Sequence, residues 1–262
     1  MKTVKKTALV TGAASGLGFE FAVLLAKDNY NLILVDIDVE KLGIAMTSIR
    51  MISDVRIKVI IKDLCEMSSS EEIMMEIGNT PIDVLINNAG FGLFGKFSNT
   101  NWERESQMLQ LHVYTTTYLT KLLLKQMQKR GSGKILNVSS LAAFQPGPLM
   151  SLYYASKAYI LSFSEAIANE LKGTGITVTA LCPGQTNTGF QKVVAESCTE
   201  NTLKFNMACP RAVAKYGYGA MQQGKTVAIP GQLNRLLSNI PRFIPRRLVT
   251  MIVRRLQESN RE

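Results

Sequence analysis

The strongest constraint on the fold is a rhythm. Short, uniformly apolar runs recur along the first two-thirds of the chain, and each is followed by a stretch with a helical repeat. The strand-like runs are Thr7–Thr11 (TALVT), Asn31–Asp36 (NLILVD), Arg56–Ile61, Asp83–Asn87 (DVLIN), Lys134–Ser139 (KILNVS) and Gly175–Leu181 (GITVTAL). Between them lie Gly18–Lys27, with Phe21, Leu24 and Leu25 on one face, then Val39–Ile49, Ser70–Ile77, one long stretch Trp102–Lys129, and Tyr154–Leu171. Strands that are apolar throughout are buried on both faces, and a helix between successive strands allows them to pair in parallel. The expected fold is therefore α/β, a single doubly wound parallel sheet with helices on both faces.

Neither a repeat nor a linker divides the chain, so residues 1–262 read as one domain, a length usual for a single α/β unit. The rhythm breaks over roughly Thr188–Arg211, an irregular stretch with Phe190, Val193, Val194, Phe205 and Met207. Sheets of this kind bind ligands at the carboxyl ends of their strands. The region 188–225, which follows the sixth strand, is thus expected to be a lid over that edge.

Thirty Lys and Arg against 20 Asp and Glu give a net charge of +10. Such a surface suits nucleic acid, an anionic membrane, an acidic ligand or water alone. Cys65, Cys182, Cys198 and Cys209 form no CxxC pair and have no histidine near in sequence, so no metal site is expected. They read as reduced thiols of a cytoplasmic protein. The basic start MKTVKK leads through a few apolar residues into a glycine-rich loop, which is not the pattern of a signal peptide. No apolar run reaches the roughly 18 residues that span a bilayer.

The first strand runs into Thr11-Gly12-Ala13-Ala14-Ser15-Gly16-Leu17-Gly18. Glycines there allow a tight turn and close approach of backbone to a pyrophosphate, and the helix that follows offers free N–H groups. Its place between a strand and a helix makes a Rossmann-type dinucleotide site, with Gly12, Ala14, Ser15, Gly16, Leu17 and Gly18 around the phosphates. Asp36, eighteen residues past Gly18, is placed to accept hydrogen bonds from an adenosine ribose and to repel a 2′-phosphate. Ile37 and Asp38 follow it, so NAD(H) is expected over NADP(H). Asp63, with Leu64, closes the third strand and is placed to receive an adenine.

Tyr153 and Lys157 stand four residues apart, on one helix face. An ammonium near a phenol favours phenolate and should bring its pKa down from about 10, so that Tyr153 could exchange a proton with an alcohol oxygen. Ser140, ending the fifth strand, can bond that same oxygen.

With these in view, the chain resembles the short-chain dehydrogenase/reductase family from roughly Lys5 to Thr188. The resemblance rests on TGAASGLG (11–18), NNAG (87–90), NVSS (137–140), YYASK (153–157) and PGQTNT (183–188), in order. It implies that Tyr153 is the acid/base, that Lys157 lowers its pKa and holds the nicotinamide ribose, and that Ser140 polarises the substrate oxygen. Asn88, Ala89 and Gly90 would wall the cofactor, and Pro183, Gly184, Thr186 and Thr188 would hold the nicotinamide end. One position departs from the family: His112, the chain's sole histidine, stands where an Asn is usual. That Asn anchors a helix irregularity and a water chain to the Lys. An imidazole could do both, and could also titrate as a proton relay, or it could simply satisfy buried backbone.

Residues 232–262 form a basic C-terminal extension with Arg235, Arg242, Arg246, Arg247, Arg254, Arg255 and Arg261 interleaved with Leu, Ile, Val and Phe. From about Arg246 it reads as an amphipathic helix, suited either to peripheral membrane contact or to packing on the domain or a partner. Nucleic acid is not expected, because the site chemistry accounts for the fold without it. Pairing of the long helices would make a homodimer or homotetramer. The expected function is NAD(H)-dependent interconversion of a secondary alcohol and a ketone on a fairly apolar small molecule. The alternatives are an NADPH-preferring acyl-ketone reductase and a dinucleotide sensor without turnover that docks to membrane.

Overall fold

The computed structural model describes residues 5–186 and 208–259. In chain order they form β1 (Thr7–Thr11), α1 (Gly16–Lys27), β2 (Asn31–Asp36), α2 (Val39–Arg50), β3 (Ile57–Ile61), α3 (Ser69–Ile77), β4 (Val84–Asn87) and α4 (Trp102–Leu109). A π-helical segment, Gln110–Thr115, leads into α5 (Thr116–Arg130), then β5 (Gly133–Val138) and a 3₁₀ turn, Leu141–Phe144. There follow α6 (Ser151–Glu170), β6 (Ile176–Leu181), α7 (Pro210–Gln222), β7 (Val227–Ala228), α8 (Gln232–Asn239), a 3₁₀ turn Ile240–Arg242, and α9 (Arg246–Ser259).

The strands make one parallel sheet in the order β3-β2-β1-β4-β5-β6-β7. The uniform apolarity of its inner strands has a direct cause. In β1, Ala8 and Val10 pack with Phe21 and Leu25 of α1 on one face. Leu9 between them packs with Leu119 and Leu123 of α5 on the other. Side chains alternate across a strand, so a strand covered on both sides needs apolar residues at every position. The order reverses between β1 and β4, and the carboxyl ends of both strands face one crevice, where such sheets take their ligands.

The strands lie within a residue of their expected bounds. Three elements differ from expectation. The stretch Trp102–Lys129 is not one continuous helix, because the π segment around His112 interrupts it. A seventh strand, Val227–Ala228, is only two residues long and carries no periodic signal. Within the span 188–225, residues 210–222 form α7, whose Val213, Ala214 and Tyr218 join the core beside α1. Residues 187–207, including Thr188, Phe190, Val193, Val194, Cys198, Phe205 and Met207 of the expected lid, lie outside the described residues. Among the described residues no helix is long and apolar enough to cross a membrane, and no three His, Cys, Asp or Glu side chains gather to hold a metal.

Candidate active site

A cleft of about 770 Å³ runs across the carboxyl ends of the strands. Gly12, Ala14, Ser15, Gly16 and Leu17 line one end of it, with Asp36, Asp63 and Leu64 beside them. Ser140, Tyr153 and Lys157 line the other, with Asn88, Ala89 and Gly90 between. Pro183, Gly184 and Thr186 complete the far wall.

The loop after β1 is built around absent side chains. Gly12 has φ +63°, and a Cβ there would lie 2.8 Å from the Ala89 Cα. A Cβ on Gly18 would lie 2.0 Å from the Gly12 carbonyl oxygen. Gly18 does not border the cleft; it lets the first turn of α1 sit directly on the loop. Asn88 fixes the same turn, donating from its side chain to the carbonyls of Thr11 and Gly12 at 3.0 Å each, while Thr11 Oγ1 accepts from the Asn88 and Ala89 N–H groups. No side chain caps α1, and its first turn carries no carboxylate. Its N–H groups and dipole are therefore available to an anion, and the cradle fits a dinucleotide pyrophosphate.

Asp36 holds this loop as well as facing the cleft. Its Oδ2 accepts from the Ala14 N–H at 2.9 Å and its Oδ1 from the Asp38 N–H at 3.1 Å. Asp63 closes its own turn by accepting from the Cys65 N–H at 2.8 Å. Two cations that sequence reasoning passed over, Lys41 and Lys62, stand in this part of the wall. Each is paired, Lys41 with Asp38 and Lys62 with Glu72. Lys41 reaches the wall because it lies one turn into α2, beyond the residues immediately after Asp36.

At the reacting end, β5 and α6 are locked by a buried polar chain. Asn87 Nδ2 donates to Asn137 Oδ1 at 2.8 Å, and Asn137 Nδ2 donates to Ser164 Oγ at 2.9 Å. Ser139 donates to the Lys157 carbonyl at 2.8 Å, and Lys157 Nζ donates to the Val138 carbonyl at 3.0 Å. This sets Tyr153, one turn earlier on α6, within hydrogen-bonding reach of Ser140. Its neighbour Tyr154 also borders the cleft, with its ring against Gly147 and its hydroxyl accepting from Gln257 of α9 at 2.7 Å.

The electrostatics correct one expectation. Burial pushes the Tyr153 phenol up to about 12, and the Ser140 hydrogen bond only partly offsets it. Burial also brings Lys157 down to about 8. The ammonium lies 5.8 Å from the Tyr153 ring centroid and is engaged with a backbone carbonyl, so it does not overcome desolvation of the phenol. The protein alone thus holds Tyr153 as a neutral donor.

His112 is fully buried and lies behind Gly90, outside the cleft lining. Ser156 gives its one hydroxyl proton to the Tyr153 carbonyl at 2.8 Å, so at 2.9 Å it must accept from His112 Nδ1. Nε2 then carries the lone pair and has no partner among the described residues. It points toward Gly90, where an added Cβ would lie 2.6 Å from Nε2 and 3.5 Å from Lys157 Nζ. Burial, and next the Lys157 charge, hold the imidazole well below its usual pKa. Of the two readings of His112, this burial favours the one in which the imidazole stays neutral. His112 is a neutral acceptor on the Lys157 side of the site, seated in a π segment as the helix irregularity required.

The cleft also contains residues that carry no motif. Arg104 and Gln107 enter from α4, Arg104 lying 4.6 Å over the Phe91 ring. Leu141, Gln145, Met150 and Tyr154 line the reacting end, and Gln257 arrives from α9.

Comparison with known proteins agrees with this architecture. The short chain dehydrogenase family matches residues 6–199. "17-beta-hydroxysteroid dehydrogenase type 3" of Rattus norvegicus is 31% identical over 205 residues, 77% of this chain and 67% of that protein. "Ketoacyl reductase HetN" of Nostoc is 34% identical over 181 residues, 68% of this chain and 63% of that protein. The chain thus spans about two-thirds of the length of these relatives. A short-chain dehydrogenase from Sphingobium yanoikuyae, solved in complex with NADPH, superposes with a TM-score of 0.80 at 25% identity, over 92% of this chain and 96% of that one. This chain belongs to the short-chain dehydrogenase family, a class of oxidoreductases on a nucleotide-binding Rossmann fold.

Proposed function

We propose that the protein is an NAD(H)-dependent oxidoreductase that interconverts a secondary alcohol and a ketone on a fairly apolar small molecule. The observation that carries this reading is one cleft with an uncapped glycine loop and a strand-end aspartate at one end, and Ser140, Tyr153 and Lys157 at the other. When bound, the nicotinamide supplies or accepts the hydride at the substrate carbon. Tyr153 supplies the proton to the ketone oxygen, or removes it from the alcohol, and its neutral state in the protein suits the donating direction. Ser140 donates to the same oxygen. Lys157, anchored to the Val138 carbonyl, would present its remaining protons to the cofactor ribose. Leu141, Ala142 and Met150 give that end an apolar wall, and the 17-beta-hydroxysteroid dehydrogenase and ketoacyl reductase relatives favour a substrate of this character.

Asp36 favours NAD(H), because its charge opposes a 2′-phosphate. A second reading, preference for NADPH, draws on Lys41 and Lys62 in the same wall. Calorimetric titration with NADH and NADPH separately decides between them: tighter NADH supports the first reading, tighter NADPH the second. Replacing Tyr153 with Phe tests the chemistry. It should cost at least roughly a hundredfold in turnover, the usual worth of general acid–base catalysis, and leave nucleotide affinity and Tm in place. Wild-type turnover in Tyr153→Phe, or no hydride transfer by the wild type with any secondary alcohol or ketone, would overturn the proposal.

A further inference from the structure

Twenty-one large apolar side chains are exposed among the described residues, and nine of them fall between Leu233 and Leu256. Phe243 is 85% exposed, and Leu236 is 62%. Nothing in the fold accounts for this concentration. The helix α9 has an inner face that does pack: Val249 and Val253 join Ala142, Met150 and Tyr154, and Gln257 bonds the Tyr154 hydroxyl. Its adjoining flank, Leu248, Ile252 and Leu256, repeats every four residues and stays exposed. Between that flank and α8 lies an apolar groove of about 210 Å³, walled by Leu237, Ile240, Pro241 and Ile244. Leu141 and Gln145 border both this groove and the catalytic cleft.

Charge identifies what covers this face. Residues 232–259 carry six arginines, Arg235, Arg242, Arg246, Arg247, Arg254 and Arg255, against a single carboxylate, Glu258, which Arg254 already engages. On α9, Arg255 falls beside Leu248 and opposite the buried Val253, so the exposed leucines and isoleucine are bordered by cation. A second copy seated here about a two-fold axis would set arginine against arginine. An anionic lipid surface takes the apolar side chains into its acyl boundary and the guanidinium groups at its headgroups.

We propose that α8, the 3₁₀ turn and α9 form a membrane-docking surface for an anionic bilayer, one that seats the protein with the mouth of its catalytic cleft toward the lipid. Docking itself does not depend on the oxidoreductase reading, so either can fail alone.

The test is flotation of the full chain with phosphatidylcholine vesicles and with vesicles containing about one-third phosphatidylserine. Two double variants accompany the wild type: Leu236→Glu with Phe243→Glu, and Arg246→Glu with Arg247→Glu. All four side chains are exposed, so Tm and NADH affinity should stay at wild-type values and report intact folding. The wild type should bind the anionic vesicles, bind the neutral ones at least tenfold less, and release at high salt. Each variant should lose at least tenfold in anionic-vesicle affinity. No wild-type binding to anionic vesicles, or variants that bind as the wild type does, would overturn the proposal. So would a dimer by light scattering that Leu236→Glu with Phe243→Glu converts to monomer, since the face would then join two copies.

Discussion

Replacing Asp36 with Ala separates the loop-closing duty of this carboxylate from the ribose-binding duty proposed for it. In the protein it accepts from the Ala14 and Asp38 N–H groups. Ala14 is 9% exposed and lines the cleft, so its N–H exchanges a charged acceptor for water. A hydrogen bond to a charged group is worth about 1.5–3 kcal/mol, so its loss lowers Tm by roughly 3–12 °C in a domain of this size. The nucleotide should respond separately. A hydrogen bond from a ribose hydroxyl to a charged acceptor contributes about 1.5–3 kcal/mol, so NADH should bind roughly 10- to 150-fold more weakly. NADPH loses no such bond and is relieved of repulsion at its 2′-phosphate, so its affinity should hold or rise. The ratio of the two dissociation constants, measured by calorimetry beside Tm by circular dichroism, should move at least about tenfold toward NADPH. Asp36→Asn keeps one acceptor oxygen without the charge, and should recover part of the Tm while the ratio stays shifted. A lowered Tm with an unchanged ratio would refute the reasoning and leave Asp36 as a residue that closes the loop.

Two further outcomes rest on the buried titratable groups. Because burial keeps His112 neutral, His112→Asn should leave the shape of the kcat/KM profile unchanged between about pH 6 and 9; a displaced acidic limb would show that imidazolium forms during turnover. Lys157 falls from its usual 10.5 to about 8, so the unfolded chain binds the extra proton between those values and folding grows more favourable as pH rises through that window. The stability of the wild type relative to Lys157→Met, from urea midpoints, should therefore rise between about pH 8 and 10.5 and stay level below it; a difference that is flat across the window would contradict the buried position of the ammonium.

What could be read from the sequence was mostly local. Gly12 and Gly18 announce a turn that tolerates no Cβ, and Thr7–Thr11 announces a strand covered twice. Spacing on one helix was enough to put Tyr153 and Lys157 on one face, and the end of the fifth strand placed Ser140 beside them. Arg104 and Gln107, Lys41, and Gln257 reach the cleft from three different helices, and their positions depend on tertiary geometry that no motif encodes. The direction of the Tyr153 shift was misjudged for a related reason: helix spacing gives proximity to an ammonium, but the larger effect is desolvation, which depends on how much of the chain surrounds the ring. The basic tail was legible as amphipathic, whereas its division into a packed face and an exposed face needed the position of Tyr154.

The π segment at Gln110–Thr115 has a consequence for alignment within the long helix. One surplus residue per turn advances everything before it by about 100° relative to an uninterrupted α-helix. Arg104 and Gln107 meet the cleft only in that advanced phase, while Leu119, Leu123 and Met127 meet the core in the phase that follows. Removing a single residue from the segment would leave a longer and more regular helix, yet one of its two halves would have to face the wrong way. The irregularity therefore acts as a gear between two registers, and helix and sheet contacts upstream and downstream of His112 are matched only while it is engaged.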